Sequence, residues 1–301
     1  MAAIKTGNHP AALWPGVQKW FGNTYNDFNE EYTDLFEVSS SSKAYEEDIV
    51  TKPFGLAPVK EQGAAVTYDE HTQGYTKRYT HVAYALGYIC TYEELEDNLY
   101  AEVAKKRAPM LARSMRKTVE TVAGNIYNRA FTSGYNGGDG VVLGSTAHPT
   151  ASGNQSNILG TAADFSEAAY EDIIVQIMGA TDERGLAINL MPKNLIVPRQ
   201  LIFEATRVVK SVQQNDTANN AINAGKALGL FDTPKVNHYL TDADAWFVRT
   251  DAPDGMKFIW RKKAMVTQDN DGDTMNAKTK SYMRFVCGWS DWRGVYGTAG
   301  A

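Results

Sequence analysis

Apolar residues recur at three- and four-residue steps over one long stretch of the chain. Leu95, Leu99 and Val103, then Leu111, Met115, Val119, Val122 and Ile126, keep one face of a helix apolar. The run opens at Thr91, with Glu94 three residues later to complete a capping box. Glu93, Glu96 and Asp97 load the positive end of the helix dipole. The spacing predicts a helix over residues 91–131, about 60 Å long at 1.5 Å per residue. Pro109 falls inside it and deprives the Lys105 carbonyl of its partner, so a kink or break is expected there. Such a helix suits an elongated subunit with a backbone-like element.

Upstream the period shortens to two. Residues 64–68 read as a strand and residues 70–74 as a turn. In the extended run that follows, Tyr75, Lys77, Tyr79 and His81 share one side, and Thr76, Arg78, Thr80, Val82 and Tyr84 the other. Neither face is apolar before residues 84–90, and such a two-stranded ribbon is marginal in water without a neighbour. Residues 1–48 are poorly patterned. Gly7, Asn8, Pro10, Pro15, Gly22 and Asn23 alternate with Trp14, Trp20, Phe21, Tyr25 and Phe28, and four serines at 39–42 form a spacer. Two readings stand: an arm whose aromatics dock on another subunit, or a short helix packed on its own domain.

Downstream, the glycines between residues 134 and 157 predict a long loop. Residues 164–180 read as an amphipathic helix capped by Asp164 and Glu167. Residues 194–197 read as a buried strand, with Pro198 opening a helix that reaches Val209. Residues 213–229, rich in Asn, Ala and Gly, read as a mobile loop, and strands follow at 235–239, 245–249, 257–259 and 282–288. The class is α+β with mainly antiparallel late strands.

The 301 residues suffice for one large or two smaller domains, and 43% hydrophobic with 22% charged residues fits a globular chain. A formal charge of −5 argues against a dedicated nucleic-acid binder. Locally, Lys105, Lys106, Arg107, Arg113, Arg116 and Lys117 make the densest basic cluster, either a solvated helix face or a strip touching DNA phosphates without reading sequence. Cys90 and Cys287 give neither a disulfide framework nor a zinc spacing and read as small buried hydrophobes in a reducing compartment. No signal peptide or membrane span is expected.

Catalytic patterns are wanting: no phosphate loop, dinucleotide fingerprint, nucleophile elbow or zinc-protease helix occurs. His148, near Ser145 in a glycine-rich loop, has no identifiable acid partner and reads as a loop contact. The run from Asp269 to Asp273 resembles a calcium loop. Aligning Gly272 with the invariant sixth position puts Thr267 first and Lys278 last, where acids belong, so a turn between strands is expected. No catalytic residue, cofactor or metal is assigned.

The order of elements resembles the major capsid proteins of tailed double-stranded DNA bacteriophages with the Hong Kong 97-type fold. Residues 84–97 are similar to the family's passage from extended loop into spine helix. Residues 145–149 with Ser156 and Asn157 resemble the post-spine loop of its Mu-like and podophage-like branches. Residues 190–198 are similar to the strand entering the axial domain, and residues 289–294 to the closing strand of the peripheral domain. The resemblance implies an N-arm over 1–48 and an extended-loop hairpin over 49–90. A peripheral domain over 91–163 would hold the spine helix, an axial domain would span 164–265, and 266–301 would supply return strands.

The resemblance also implies a virion shell of hexamers and pentamers, assembled in the host cytoplasm. Its partners would be a separate scaffolding protein, a portal protein at one vertex, a decoration or cement protein, and double-stranded DNA contacted non-specifically. Trp14, Trp20, Phe21, Tyr25, Tyr68, Tyr75, Lys77, Arg78 and Tyr79 are the expected inter-subunit residues. An encapsulin-like nanocompartment shell is the alternative on this fold, and a hydrolase using His148 the alternative off it.

Overall fold

The computed structural model describes residues 10–97, 100–214, 221–271, 274 and 276–301. The chain opens with α1 (Pro10–Asn26) and the single turn α2 (Tyr32–Leu35), then β1 (Glu37–Ser40), β2 (Tyr45–Thr51), β3 (Gln73–Thr80) and β4 (Val82–Cys90). Of the two readings of the N-terminal segment, the helix packed on its own domain is the one observed. Phe21 enters the subunit's own core with Tyr25 stacked on it at 5.9 Å, and Trp20 packs against Val17, Cys90, Ala108 and Ala277. These three aromatics are therefore spent within the chain. The Trp14 side chain lies outside the described residues.

The hairpin differs from expectation in its first strand, which is β2 and not residues 64–68. β2 and β3 pair antiparallel from Tyr45↔Thr80 to Thr51↔Gln73. The sequence Tyr-Glu-Glu-Asp-Ile-Val-Thr hides this strand because neither side of its alternation is apolar: Glu46 and Asp48 fall on one side and Glu47 on the other, each paired with a cation of the same chain. Residues 52–72 form no strand.

α3 (Tyr92–Glu96) starts where predicted, with the Thr91 hydroxyl accepting the Glu94 N–H at 3.3 Å. The long helix is α4 (Tyr100–Asn128), and it runs through Pro109 as one α-helix, so the expected break near Lys105 is absent. A buried seam of Ala108, Leu111, Ala112, Met115, Val119 and Ala123 on α4 holds the helix together there.

That seam packs on a four-stranded sheet. β10 (Met256–Asn270) and β11 (Ala277–Trp289) form a long antiparallel hairpin; β4 pairs with β11, and β1 runs parallel to β10. Phe258, Trp260, Met283, Phe285 and Trp289 meet α4 with Tyr32, Leu35 and Phe36. A domain boundary at 265/266 would cut β10, and one at 48/49 would cut β2. The turn closing the long hairpin has the Asp271 N–H bonded to Asn276 O at 3.0 Å and Lys278 Nζ 2.6 Å from an Asp271 oxygen. A lysine thus stands where a calcium ligand would have to, as the turn reading requires; Gly272 and Asp273 lie outside the described residues.

After the short hairpin β5 (His148–Thr150) and β6 (Gly153–Gln155), a second core forms. Helix α5 (Glu167–Met178) is capped by Ser166, which accepts the Ala169 N–H at 3.2 Å; Asp164 instead accepts from Ala301 N–H. β7 (Pro192–Pro198) leads through one 3-10 turn into α6 (Ile202–Lys210). The expected loop 213–229 contains a helical turn, α7 (Ala224–Leu228), capped by Asn223 at its start and by left-handed Gly229 at its end. Asn215, Asn219 and Asn220 lie outside the described residues. β8 (Lys235–Asn237), β9 (Trp246–Thr250) and β12 (Val295–Thr298) complete a sheet in the order β12-β9-β7-β8. Trp246, Trp292, Tyr170, Tyr296 and Phe165 are the largest fully buried side chains of this second core.

Among the described residues no helix is long and apolar enough to cross a membrane, and no group of acids, histidines and cysteines is arranged to hold a metal. Cys90 and Cys287 are free thiols, and burial pushes the Cys287 thiol up to about 12.

Candidate assembly surfaces

The alternation along β3 decides what the hairpin can offer a neighbour. Tyr75, Lys77 and Tyr79 share one side, as the sequence predicts, but that side faces the subunit itself. The Tyr75 hydroxyl donates to Ser290 O at 3.0 Å, and the Tyr79 hydroxyl lies 2.5 Å from Ser290 Oγ. Ser290 Oγ in turn donates to Asp48, whose carboxylate pairs with Lys257 Nζ at 2.6 Å. The fit needs glycine twice: a Cβ at Gly138 would stand 2.5 Å from the Tyr75 ring, and one at Gly288 2.9 Å from the Tyr79 ring. Burial pushes the Tyr75 and Tyr79 hydroxyls well above the ordinary tyrosine range.

Lys77 donates to Asn136 O at 3.2 Å, and Arg78 pairs with Glu47 at 2.6 Å over the Tyr45 ring. Tyr75, Arg78 and Tyr79, three of the five hairpin residues expected between subunits, are therefore satisfied within one chain, while Lys77 has a backbone carbonyl as its hydrogen-bond acceptor. The physical reason is the root's position over the closing segment at Ser290, which the sequence pattern could not reveal.

Tyr68 is the exception, and it belongs to a larger surface. Over residues 52–72 every apolar side chain of size is exposed: Phe54, Leu56 at 80%, Val59 at 96%, Val66, and Tyr68 at 92%. Polar contacts alone tie this stretch down. Asp69 accepts from Gly55 N–H and from Arg184, whose guanidinium also donates to Glu70 O at 2.8 Å. These partners hold the Asp69 carboxyl down to about 2, below the usual carboxylate range. The stretch thus turns its polar side to its own subunit and its apolar side outward. So many large apolar side chains exposed on one stretch are unusual for a chain in water by itself.

The basic cluster on α4 divides in two. Lys106, Arg113 and Lys117 are exposed along one face, within about 40° of one another at 100° per residue. Arg107 and Arg116 point elsewhere: Arg107 pairs with Glu94 at 2.9 Å, and buried Arg116 pairs with Glu30 at 2.7 Å. The side chain of Lys105 lies outside the described residues.

Buried Glu120 stands beside Arg116, one oxygen accepting Tyr32 N–H at 2.9 Å and the other 3.9 Å from the Arg116 Nε. Arg116 also lies over the rings of Tyr25 and Tyr32, at 5.0 and 5.5 Å. This cluster fastens the segment between α1 and α2 to the long helix. Neither charge was expected to be buried, since each sits one step from the apolar seam and reads as a solvated position.

His148 is fully buried and stacked on Trp292 at 4.5 Å. Its Nδ1 lies 2.6 Å from Asp139 and its Nε2 3.1 Å from Asn157 Oδ1, while the Ser145 hydroxyl accepts Ala147 N–H instead of meeting the ring. The acid partner exists, but no serine–histidine pair forms and both ring nitrogens are occupied. Asn157 is the hub of this knot, donating to Leu143 O and Val295 O at 2.6 and 2.9 Å and accepting from Ser145 N–H. The loop after the long helix is thereby pinned to β12. Asn157→Ala would strand two buried carbonyls and the half-buried Ser145 N–H, and is expected to lower the free energy of urea unfolding by roughly 2–4 kcal/mol. A reduction below ~1 kcal/mol would mean that water replaces the amide.

The arrangement is that of a structural subunit with an outward apolar loop and an exposed basic stripe. Solved structures share the fold. The capsid of Myoviridae phage XM1 matches with a TM-score of 0.51 at 11% identity, covering 91% of this chain and 93% of that one. The procapsid of bacteriophage JBD30 matches at 0.54 and 13% identity over 98% and 76% of the two chains. A virus-like particle from Pyrococcus furiosus matches at 0.54 and 8% identity over 95% and 99%. These likenesses bear out the α+β fold of Hong Kong 97 type. No curated protein matches the sequence. The profile of the phage capsid protein family matches residues 74–298, from the root of the hairpin through the long helix to the last strand, and the chain belongs to that family.

Proposed function

We propose that the chain is the major capsid protein of a tailed phage, assembling as hexamers and pentamers into the icosahedral head shell around double-stranded DNA. The family match over residues 74–298 carries this reading. The outward apolar loop supports it, because exposed Leu56, Val59 and Tyr68 gain burial only against another molecule. In this reading residues 52–72 lie over a neighbouring copy, and the lobe holding α5 to α7 faces the capsomer centre. A separate scaffolding protein, a portal protein and a decoration or cement protein are the remaining partners, met in the host cytoplasm. Purified protein is expected to elute as megadalton particles that negative stain shows to be closed; a monodisperse small oligomer under all assembly conditions would count against a shell.

A nanocompartment that packages protein is the second reading, since the fold, shared nearly end to end with a virus-like particle, does not say what a shell encloses. Ultraviolet absorbance of particles made in the native host separates the two: nucleic acid in one case, protein cargo in the other.

The stripe of Lys106, Arg113 and Lys117 is assigned to DNA phosphates. Changing all three to Gln is expected to flatten the salt dependence of DNA binding, by roughly 0.9 in the slope of log K for each phosphate no longer neutralised. An unchanged slope would return the stripe to ordinary solvated surface.

A further inference from the structure

Between β3, the end of α4, the following loop and β11 lies a cleft of about 230 Å³. Its walls carry Lys77, Arg129, Asn125 and Asn136 beside Ile126, Tyr135, Val286 and Trp289, and no carboxylate lines it. Arg78 at its rim is neutralised by Glu47. The other two cations are not: Lys77 lies 5.5 Å over the Trp289 ring with only a backbone carbonyl to donate to, and Arg129 lies 4.5 Å over Tyr135. Among the described residues neither has a carboxylate within salt-bridge distance. Asp139, the nearest acid acting on Lys77, is held by His148 at 2.6 Å.

Resting on the shell reading, we propose that this cleft receives a carboxylate side chain, supplied in the shell by a second copy of this chain. Two cations without a carboxylate partner line one cleft walled by apolar and aromatic groups, which suits a carboxyl on a short aliphatic stem. A phosphodiester strand is the poorer fit. A single strand that binds by base stacking finds no open ring here, because Trp289 is 7% exposed. Acidic residues outnumber basic ones by 35 to 30, so another copy brings acids to the contact. Burial lowers the Lys77 pKa by desolvation, with the Asp139 charge pulling the other way. By linkage, a bound carboxylate must raise it.

The test uses the full-length chain under conditions that keep it unassembled, with glutarate, inorganic phosphate and a short single-stranded oligonucleotide as probes. Calorimetry is expected to give saturable glutarate binding, weakened at least tenfold in both Lys77→Met and Arg129→Gln. In the unmutated protein, reductively methylated Lys77 should titrate at higher pH once glutarate is present. That second measurement stands even if a variant misfolds. Absent saturation, an unmoved Lys77 titration, or binding indifferent to both substitutions overturns the site; tighter binding of phosphate or oligonucleotide than of glutarate overturns the carboxylate assignment. Because no step requires assembly, a chain that binds glutarate but builds no particles refutes the shell reading and leaves the cleft standing.

Discussion

A subunit in which residues 53–71 are replaced by a Gly-Ser link is expected to fold normally and to form no closed particle. The Lys52 N–H already donates to Thr72 O at 3.0 Å, so a short turn can join the two ends without moving either strand. Nothing in residues 53–71 belongs to a buried cluster. Shortening the loop reduces its closure entropy, a gain of about 1 kcal/mol that offsets the exposed hydrogen bonds of Asp69 and Glu70. Assembly, in contrast, is deprived of the apolar surface of Phe54, Leu56, Val59, Val66 and Tyr68 at once. The urea midpoint should match that of the parent, while size exclusion shows only small species. Normal shells from this variant would remove the loop from the assembly mechanism. A cut reaching Tyr79 is a different experiment, since it strips Tyr75 and Tyr79 from Ser290 and is expected to unfold the root.

The contrast between those two deletions shows what the sequence could and could not disclose. The alternation of Tyr75, Lys77 and Tyr79 was legible, because side chains on a strand must alternate. Which side meets the subunit was not, because it depends on Ser290, more than two hundred positions away. The long helix was legible for a similar reason: Leu111, Met115 and Val119 are all buried at the spacing that predicted them. Arg107 and Arg116 read as surface charge, since a periodic pattern cannot tell an ion paired indoors from one in water. β10 extends to Asn270 although only residues 257–259 looked like strand. Arg261, Lys262 and Lys263 fall at a bulge where the register slips, and charge there masks the pairing. The cleft beside Lys77 draws on four separate elements and left no local trace at all.

Arg116→Ala is expected to be the most damaging single substitution, and its cost should depend on pH. Removing the guanidinium leaves Glu120 buried with no cation and takes from Glu30 its 2.7 Å partner. Breaking a buried pair this way costs about 3–5 kcal/mol. Glu120 itself sets the pH dependence. Burial pushes its carboxyl up from 4.5 to about 7, with Arg116 and the Tyr32 N–H pulling the other way. Between those two values the folded chain holds a proton that the unfolded chain has released, so stability falls as pH rises. The contribution is fully present below the unfolded value near 4.5 and is lost as pH passes about 7. Its size is on the order of 3 kcal/mol at most.

Removing Arg116 takes away the main charge that lowers the Glu120 pKa, so the variant should be weaker at pH 8 than at pH 6 by a wider margin than the parent. Glu120→Gln should flatten the curve, because a neutral amide can still face the buried site without ionising. Combining Arg116→Met with Glu120→Gln should recover much of the stability, since no uncompensated ion is left buried and the amide oxygen can still accept the Tyr32 N–H. Urea unfolding at pH 6 and pH 8 measures all three, with cleavage after Glu30 and Glu31 by a glutamate-specific protease as a local readout. If Arg116→Ala matched the parent at both pH values, the arm would not be held to the long helix by this cluster. The protection of the N-terminal segment would then have to come from the Phe21 and Tyr25 packing alone.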